Sequence, residues 1–255
     1  MSFEACAAIV ERGDTDRFRA AMAAPVEARK ILFPLYAFNV EVTRAPWVTQ
    51  EHMIAEMRLQ WWRDALEEIR QGGPVRKHEV VDELAKILDK EACETLDALI
   101  AARRWDIYSD PFEDEAHLDD YIHATSSNLM QVAAQALGAA DVKTIRYVGY
   151  ASGLANLFRA IPALEQAGRK PLVDGRPIAI RTLAERGAEC LKRARSTKHA
   201  VSKAASPALI AAFRAKPTLE QIIKDPNLVA SVALEPSPAK DSLRFANVTM
   251  RGWWR

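Results

Sequence analysis

Chemistry needs ionisable or polar side chains held together at fixed spacing, and few groupings in this sequence meet that requirement. Tyr121, Thr125 and Asn128 follow one another at steps of four and three, with Leu129 next. That places two hydroxyls and an amide where a helical core is normally apolar, and such groups need partners or water. In the run Met57-Arg58-Leu59-Gln60-Trp61-Trp62-Arg63-Asp64, helical spacing puts Ile54, Met57, Trp61 and Ala65 on one face, with Arg58 and Trp62 in the adjacent row. A tandem tryptophan on an amphipathic helix reads first as core. Asn156 and Arg159 lie off the apolar stripe of Leu154, Leu157, Phe158 and Ile161.

The acidic and nucleophilic residues are less suggestive. Asp64 and Glu68 form one i,i+4 pair, and Glu41 stands alone. The run Asp106, Asp110, Glu113, Asp114, Glu115, Asp119 and Asp120 lacks ligand-like spacing and fits a solvated loop leading into a helix N-terminus. The histidines at 52, 78, 117, 123 and 199 are scattered, none with a serine or cysteine at diagnostic spacing. Cys6, Cys93 and Cys190 suit neither a zinc site nor a disulfide framework and point to a reducing compartment.

The elements that must position these groups are helices. Helical periodicity dominates, strand-like alternation is nearly absent, and glycine is scarce at 10 residues. The pattern predicts helices near 15–23, 25–44, 50–71, 78–88, 91–107, 114–137, 141–166, 178–204, 206–215, 218–224 and 238–250. Pro25, Pro207 and Pro238 suit first turns, Thr49 is the expected cap of the third helix, and the segment 168–177, with two Gly and two Pro, reads as a loop. The fold class is all-α, with residues 1–255 read as a single domain because no Gly/Ser-rich or Pro-rich linker divides the chain.

Hydrophobic residues at 49% and charged residues at 27% are ordinary globular composition. No apolar run reaches membrane-spanning length; residues 31–42 contain Pro34 and Asn39 and end against Glu41. No signal or transit peptide is visible, so a cytoplasmic setting is expected. The near-neutral total hides an asymmetry: residues 141–255 hold 20 Lys+Arg against 9 Asp+Glu, and residues 1–140 hold 15 against 25. Lys192, Arg193, Arg195 and Lys198 lie in the densest basic stretch and mark a candidate surface for an anionic membrane or an acidic protein partner, with a solvated helix face as the plain alternative. Trp253 and Trp254, beside Arg251 and Arg255, are either a further interfacial contact or a segment packed back onto the protein. No nucleic-acid motif accompanies the charge, so nucleic acid is not an expected partner.

Five segments, taken in order, resemble a known family. They are Asp16-Arg17-Phe18-Arg19-Ala20-Ala21-Met22 followed by Leu35-Tyr36-Ala37-Phe38; Arg58-Leu59-Gln60-Trp61-Trp62-Arg63; Tyr121 through Leu129; Gly153-Leu154-Ala155-Asn156-Leu157-Phe158-Arg159; and Gly168-Arg169. This order resembles the squalene/phytoene synthases over roughly residues 14–205, and only weakly over 226–255. The resemblance implies an isoprenoid-synthase-like helical bundle around a central cavity. It also implies that Tyr36, Asn39, Glu41, Arg58, Trp62, Tyr121, Thr125, Asn156 and Arg159 line that cavity.

Active members condense prenyl diphosphates using Mg²⁺ held by two aspartate-rich motifs, because the metal neutralises the departing diphosphate. Aligned on the quoted segments, those acids fall at Thr43 and Trp47 and at Ala160, Ala163 and Leu164, and Pro162 is expected to interrupt the second helix. No catalytic residue and no cofactor are therefore expected. The pattern is similar to a divergent branch of the family, the respiratory complex I assembly factor with a squalene/phytoene-synthase-like domain. That implies a non-catalytic binding role with a protein partner, peripheral at the inner membrane, and the short N-terminus implies a bacterial relative. The alternative is a prenyl-diphosphate transferase in which Arg58, Arg159 and Arg169 hold phosphate oxygens and Mg²⁺ is used. A third reading is an inherited cavity that keeps an isoprenoid or lipid ligand without chemistry.

Overall fold

Aspartates start four of the helices. The computed structural model describes residues 2–231, 234 and 237–254. In it Asp14 accepts a hydrogen bond from the Arg17 amide at 2.9 Å ahead of α2 (Thr15–Ala23). Asp89, Asp114 and Asp141 do the same at 2.8 Å ahead of α6 (Lys90–Arg103), α7 (Glu115–Ile122) and α9 (Val142–Gln166). Each satisfies an amide that the first turn leaves without a partner. The remaining helices are α1 (Ser2–Gly13), α3 (Val26–Arg44), α4 (His52–Gln71), α5 (Glu79–Leu84), α8 (Asn128–Leu137), α10 (Pro177–Ser196), α11 (Ala215–Lys224) and α12 (Pro238–Arg251). Apart from one isolated bridge between Ala140 and Val201, no strand pairing occurs among the described residues.

Several expectations are corrected. A helix precedes residue 15: α1 buries Cys6, Ile9 and Val10. Thr49 does not cap α4; its hydroxyl accepts from the Glu51 amide at 3.1 Å, a turn that precedes the helix, and Glu51 is the residue at the cap. The helix expected over 178–204 ends at Ser196, and residues 206–212 form a 3₁₀ turn. Pro162 does not interrupt α9, which continues to Gln166; the hydrogen bond lost at proline falls just after the turn in which Phe158 and Ile161 are buried, and that packing holds the helix there. On α4 the buried stripe is Ala55, Leu59, Trp62, Leu66 and Ile69, and Ile54 and Met57 face solvent.

Two clusters of buried side chains make the core. One gathers α1, α3, α4, α5, α6 and α8, and the other gathers α7, α10, α11 and most of α9. The long α9 contributes Ile145 and Val148 to the first cluster and Tyr150 through Ile161 to the second, so it crosses between them.

Where α9 crosses the junction of α7 and α8, that junction is a π-helical turn, His123–Ser127. Two glycines permit the approach. A Cβ on Gly149 would lie 2.6 Å from Ser127 Cα, and one on Gly153 would lie 2.7 Å from Ile122 Cγ2 and Ser126 Cβ. Ser126 Oγ donates to the Gly149 carbonyl at 2.8 Å and fixes the register of the crossing. Gly149→Ala therefore has to displace backbone, and a loss of about 1–3 kcal/mol in urea denaturation is expected. An unchanged midpoint would show that the crossing yields without cost.

Candidate functional site

A cavity of about 570 Å³ lies between α2–α3 on one side and α7, the π-helical turn and α9 on the other. From α3 it receives Asn39 and Thr43, and from the loop that follows, Trp47. The α2 N-terminus adds Asp14, Asp16 and Arg17, the end of α6 and the turn beyond it add Arg103, Trp105 and Asp106, and α9 adds Asn156, Arg159 and Ala160. Phe112, Ile122, Leu157 and Leu164 make much of the remaining wall apolar.

Every carboxylate on this wall is already held by arginine. Arg17 donates to Asp14 at 2.5 Å while the same carboxylate caps α2. Arg159 reaches Asp16 at 3.1 Å, and Arg214 reaches the other oxygen of Asp16 at 3.3 Å. Arg103 donates to Asp106 at 3.0 Å and to the Tyr121 hydroxyl at 2.7 Å, and Tyr121 in turn donates to Asp106 at 2.8 Å. Burial pushes the Tyr121 phenol above its ordinary value. Arg169 has no carboxylate partner among the described residues; it donates to the carbonyls of Asp106 and Tyr108 and stacks over the Trp47 ring at 4.9 Å. Asn39 Oδ1, Thr43 Oγ1, Arg103 Nε and Trp105 Nε1 are sealed within the wall without a hydrogen-bond partner among the described residues.

The charge network extends to α12. Arg19 and Arg214 both donate to Asp241, at 2.5 and 2.9 Å, so Arg214 links Asp241 to Asp16 on the cavity wall. Burial works against the Asp241 carboxylate, yet the hydrogen bonds from Arg19 and Arg214 hold it below its ordinary value. A depressed folded-state value contributes stability at pH above the unfolded carboxylate range, near 4, and that contribution disappears as pH falls through the folded value. The stability gap between wild type and Asp241→Asn should therefore be full at neutral pH and shrink below about pH 4. A gap that does not change with pH would separate Asp241 from acid sensitivity.

Of the residues expected to line the cavity, Asn39, Tyr121, Thr125, Asn156 and Arg159 do so, as does Arg169. Four do not. Tyr36 is buried in the core beneath Arg17. Glu41 lies off the wall, half-buried, 3.6 Å from Arg44. Trp62 packs edge-on against Phe38 at 5.4 Å, because α4 presents its tryptophan to the core side of α3. Arg58 sits beside that buried stripe and points to solvent, so it cannot join Arg159 and Arg169 in one anion contact. The residues missed are Asp14, Asp16, Arg17, Arg103, Trp105 and Asp106. The available signal was the density of opposite charges in Asp14-Thr15-Asp16-Arg17 and in Arg103-Arg104-Trp105-Asp106.

The basic surface on α10 is partly neutralised. Glu189 lies 3.7 Å from Lys192 and 3.2 Å from Arg193, Arg193 stacks over Tyr147, and Lys198 lies over Trp254. Arg195 is exposed. Trp253 and Trp254 are half-buried and Trp253 packs against the first core cluster, so these rings turn back onto the protein; Arg255 lies outside the described residues. No described helix is long and apolar enough to cross a membrane. Burial pushes the Cys6 thiol up to about 12 and the Cys93 thiol to about 11, so neither is a thiolate nucleophile at neutral pH.

The architecture is that of the isoprenoid-synthase fold. A crystal structure of a dehydrosqualene synthase in complex with ligand superposes with a TM-score of 0.80, covering 98% of this chain and 96% of that one at 15% identity. A squalene synthase, HpnC from Alicyclobacillus acidocaldarius, superposes with a TM-score of 0.70 at 17% identity, covering 88% and 93%. The family model described as squalene/phytoene synthase matches residues 10–172, and the chain belongs to that family. Among similar curated proteins are complex I assembly factor 6 homologues. The Drosophila melanogaster protein is 31% identical over 175 residues, 65% of this chain and 51% of its own length. The Homo sapiens protein is 25% identical over 162 residues, 62% and 48%. The chain thus spans about half the length of the curated relatives it matches.

Membership raises the question of whether the cavity fits the family's magnesium. Thr43, Trp47, Ala160 and Leu164, where the motif acids align, line the wall, and Ala163 is exposed. None of the five offers a hard anionic oxygen. Among the described residues no three His, Cys, Asp or Glu side chains come together as a metal-holding group, and recruiting Asp14, Asp16 or Asp106 would break the arginine pairs that hold them. The donor set does not fit the metal cluster. Millimolar Mg²⁺ is accordingly expected to leave the melting temperature unchanged, since only a ligand that binds the folded state raises it. A rise with Mg²⁺ but not with Na⁺ would contradict this.

Proposed function

We propose that the chain is a non-catalytic member of the squalene/phytoene synthase family that acts by binding a protein partner during respiratory complex I assembly, at a membrane face. The observation that carries this is the cavity wall itself, where Thr43, Trp47, Ala160 and Leu164 stand in the metal-ligand positions and arginines hold the carboxylates that remain. The similarity to assembly factor 6 proteins supports the choice of process. The test is cross-linking and affinity purification of the tagged chain from its native cells, with co-purifying proteins identified. Recovery of complex I subunits or assembly intermediates is expected, and their absence while other clients are enriched would refute the process.

A second reading, transfer of a prenyl group from a lipid diphosphate, draws on the two arginines, Arg159 and Arg169, that reach the wall. It requires squalene, presqualene diphosphate or phytoene from farnesyl or geranylgeranyl diphosphate with Mg²⁺ above a heat-killed control. No product is expected.

A further inference from the structure

Five of the exposed large apolar side chains fall within the eleven residues 47–57: Trp47, Val48, Met53, Ile54 and Met57, with Met53 at 75% and Met57 at 66% exposure. No other stretch of that length among the described residues holds more than two. The clustering follows from how α4 is packed. Its core-facing stripe, Ala55, Leu59, Trp62 and Leu66, takes one side of a helix that is apolar on both, and the side bearing Met53 and Met57 is left outward.

The patch is continuous with the cavity. Trp47 is 44% exposed and also lines the cavity wall. Arg169 stacks on Trp47 and donates to the Tyr108 carbonyl, and the Tyr108 ring meets His52, the first residue of α4, at 5.2 Å. These contacts set the start of α4 beside Trp47, which lines the cavity together with Phe112, Leu157 and Leu164. Cations flank the patch. Arg58 and Lys170 are exposed and make no ion pair among the described residues, and Arg44 is 61% exposed beside Glu41. Glu56 is taken up by Arg104, which leaves Glu51 as the one acid of residues 47–57 without a basic partner.

We propose that this face docks on an anionic lipid bilayer, with Met53 and Met57 inserted at the acyl boundary, Trp47 at headgroup level and Arg44, Arg58 and Lys170 against lipid phosphates, so that the cavity mouth opens onto the membrane. The chemistry favours lipid over a protein partner for two reasons. Solvent-exposed apolar side chains on a helix, flanked by arginine and lysine, are the arrangement that lies in a bilayer interface, where tryptophan also partitions. And a cavity whose wall combines apolar Phe112, Leu157 and Leu164 with arginine–aspartate pairs, opening beside such a face, takes its ligand, a long-chain amphiphile, directly from the layer it rests on. The proposal moves the membrane contact from α10, whose cations are partly paired, to α4, and it does not depend on which protein the chain assists.

The test is co-sedimentation of the whole chain with phosphatidylcholine vesicles with and without phosphatidylglycerol, alongside quenching of tryptophan fluorescence by brominated lipid. Binding to the anionic vesicles is expected, falling by about tenfold for Met53→Ser/Met57→Ser, with quenching reduced in Trp47→Phe and no change when Lys192, Arg193, Arg195 and Lys198 are all replaced by Gln. Because the altered methionines are exposed, an unchanged melting temperature checks that the variant is folded. The proposal is overturned if the methionine variant sediments like wild type, if only the α10 variant loses binding, or if no vesicle binds while the methionine variant loses a co-purifying protein.

Discussion

Asp106→Asn should cost about 3 kcal/mol or more of unfolding free energy, read from the midpoint of urea denaturation, because it removes one partner of a buried ion pair and leaves the other charged. Arg103 and Asp106 are both largely buried, with side-chain exposures of 17% and 8%. The carboxylate also accepts from the Tyr121 hydroxyl. An amide at that position still offers one oxygen, but it no longer neutralises a guanidinium whose Nε already lacks a partner. Replacing both members of such a pair with apolar groups is often far less costly than removing one. The double variant Arg103→Leu/Asp106→Leu should therefore recover part of the loss. A single-variant cost below about 1 kcal/mol would mean that water, not the arginine pair, dominates this end of the cavity.

The helices were legible because their signals are local. Apolar periodicity carried them; the one cap expected, Thr49, is not a cap, and the caps that do form, Asp14, Asp89, Asp114 and Asp141, were not among the expectations although each acts within three residues. α1, 12 residues long, escaped because Glu4 and Glu11 make its stretch read as mixed, with only Cys6, Ile9 and Val10 buried. The cavity was legible in part for a different reason. Asn39, Tyr121, Thr125, Asn156 and Arg159 were assigned to it through the family resemblance, which fixes which helices face one another. It does not fix which side chains of a given helix reach the gap. On α3, Asn39 and Thr43 reach the cavity while the adjacent Phe38 turns toward Trp62. Asp14–Arg17 and Arg103–Asp106 are i,i+3 neighbours and left a local signal, but the long-range arginine–aspartate pairs were not legible. Asp16 meets Arg159 across 143 positions of sequence and Arg19 meets Asp241 across 222, and no spacing rule links residues so far apart.

The same limit explains why the two tandem tryptophans, equivalent in sequence, should differ in consequence. Trp62 is 5% exposed and packs against Phe38 at 5.4 Å and His78 at 5.3 Å, so Trp62→Ala removes a large aromatic from a core that cannot collapse around the void. A loss of about 3–5 kcal/mol is expected. Trp61 is half-buried, with the Arg76 guanidinium over its ring at 4.9 Å and Arg76 also bonded to its carbonyl, a contact that survives truncation of the side chain. A cation stacked on a partly exposed ring is worth about 0.5–1 kcal/mol, so Trp61→Ala should cost clearly less than Trp62→Ala, and Trp62→Phe should recover much of the larger loss. Arg58→Ala, one turn before Trp62 but in solvent, should change stability by no more than about 0.5 kcal/mol. Chemical denaturation of the four variants orders them. A Trp61→Ala loss equal to or larger than that of Trp62→Ala would place the core side of α4 on the face first read from its spacing, and Met53 and Met57 would then have to be buried rather than free to meet a membrane.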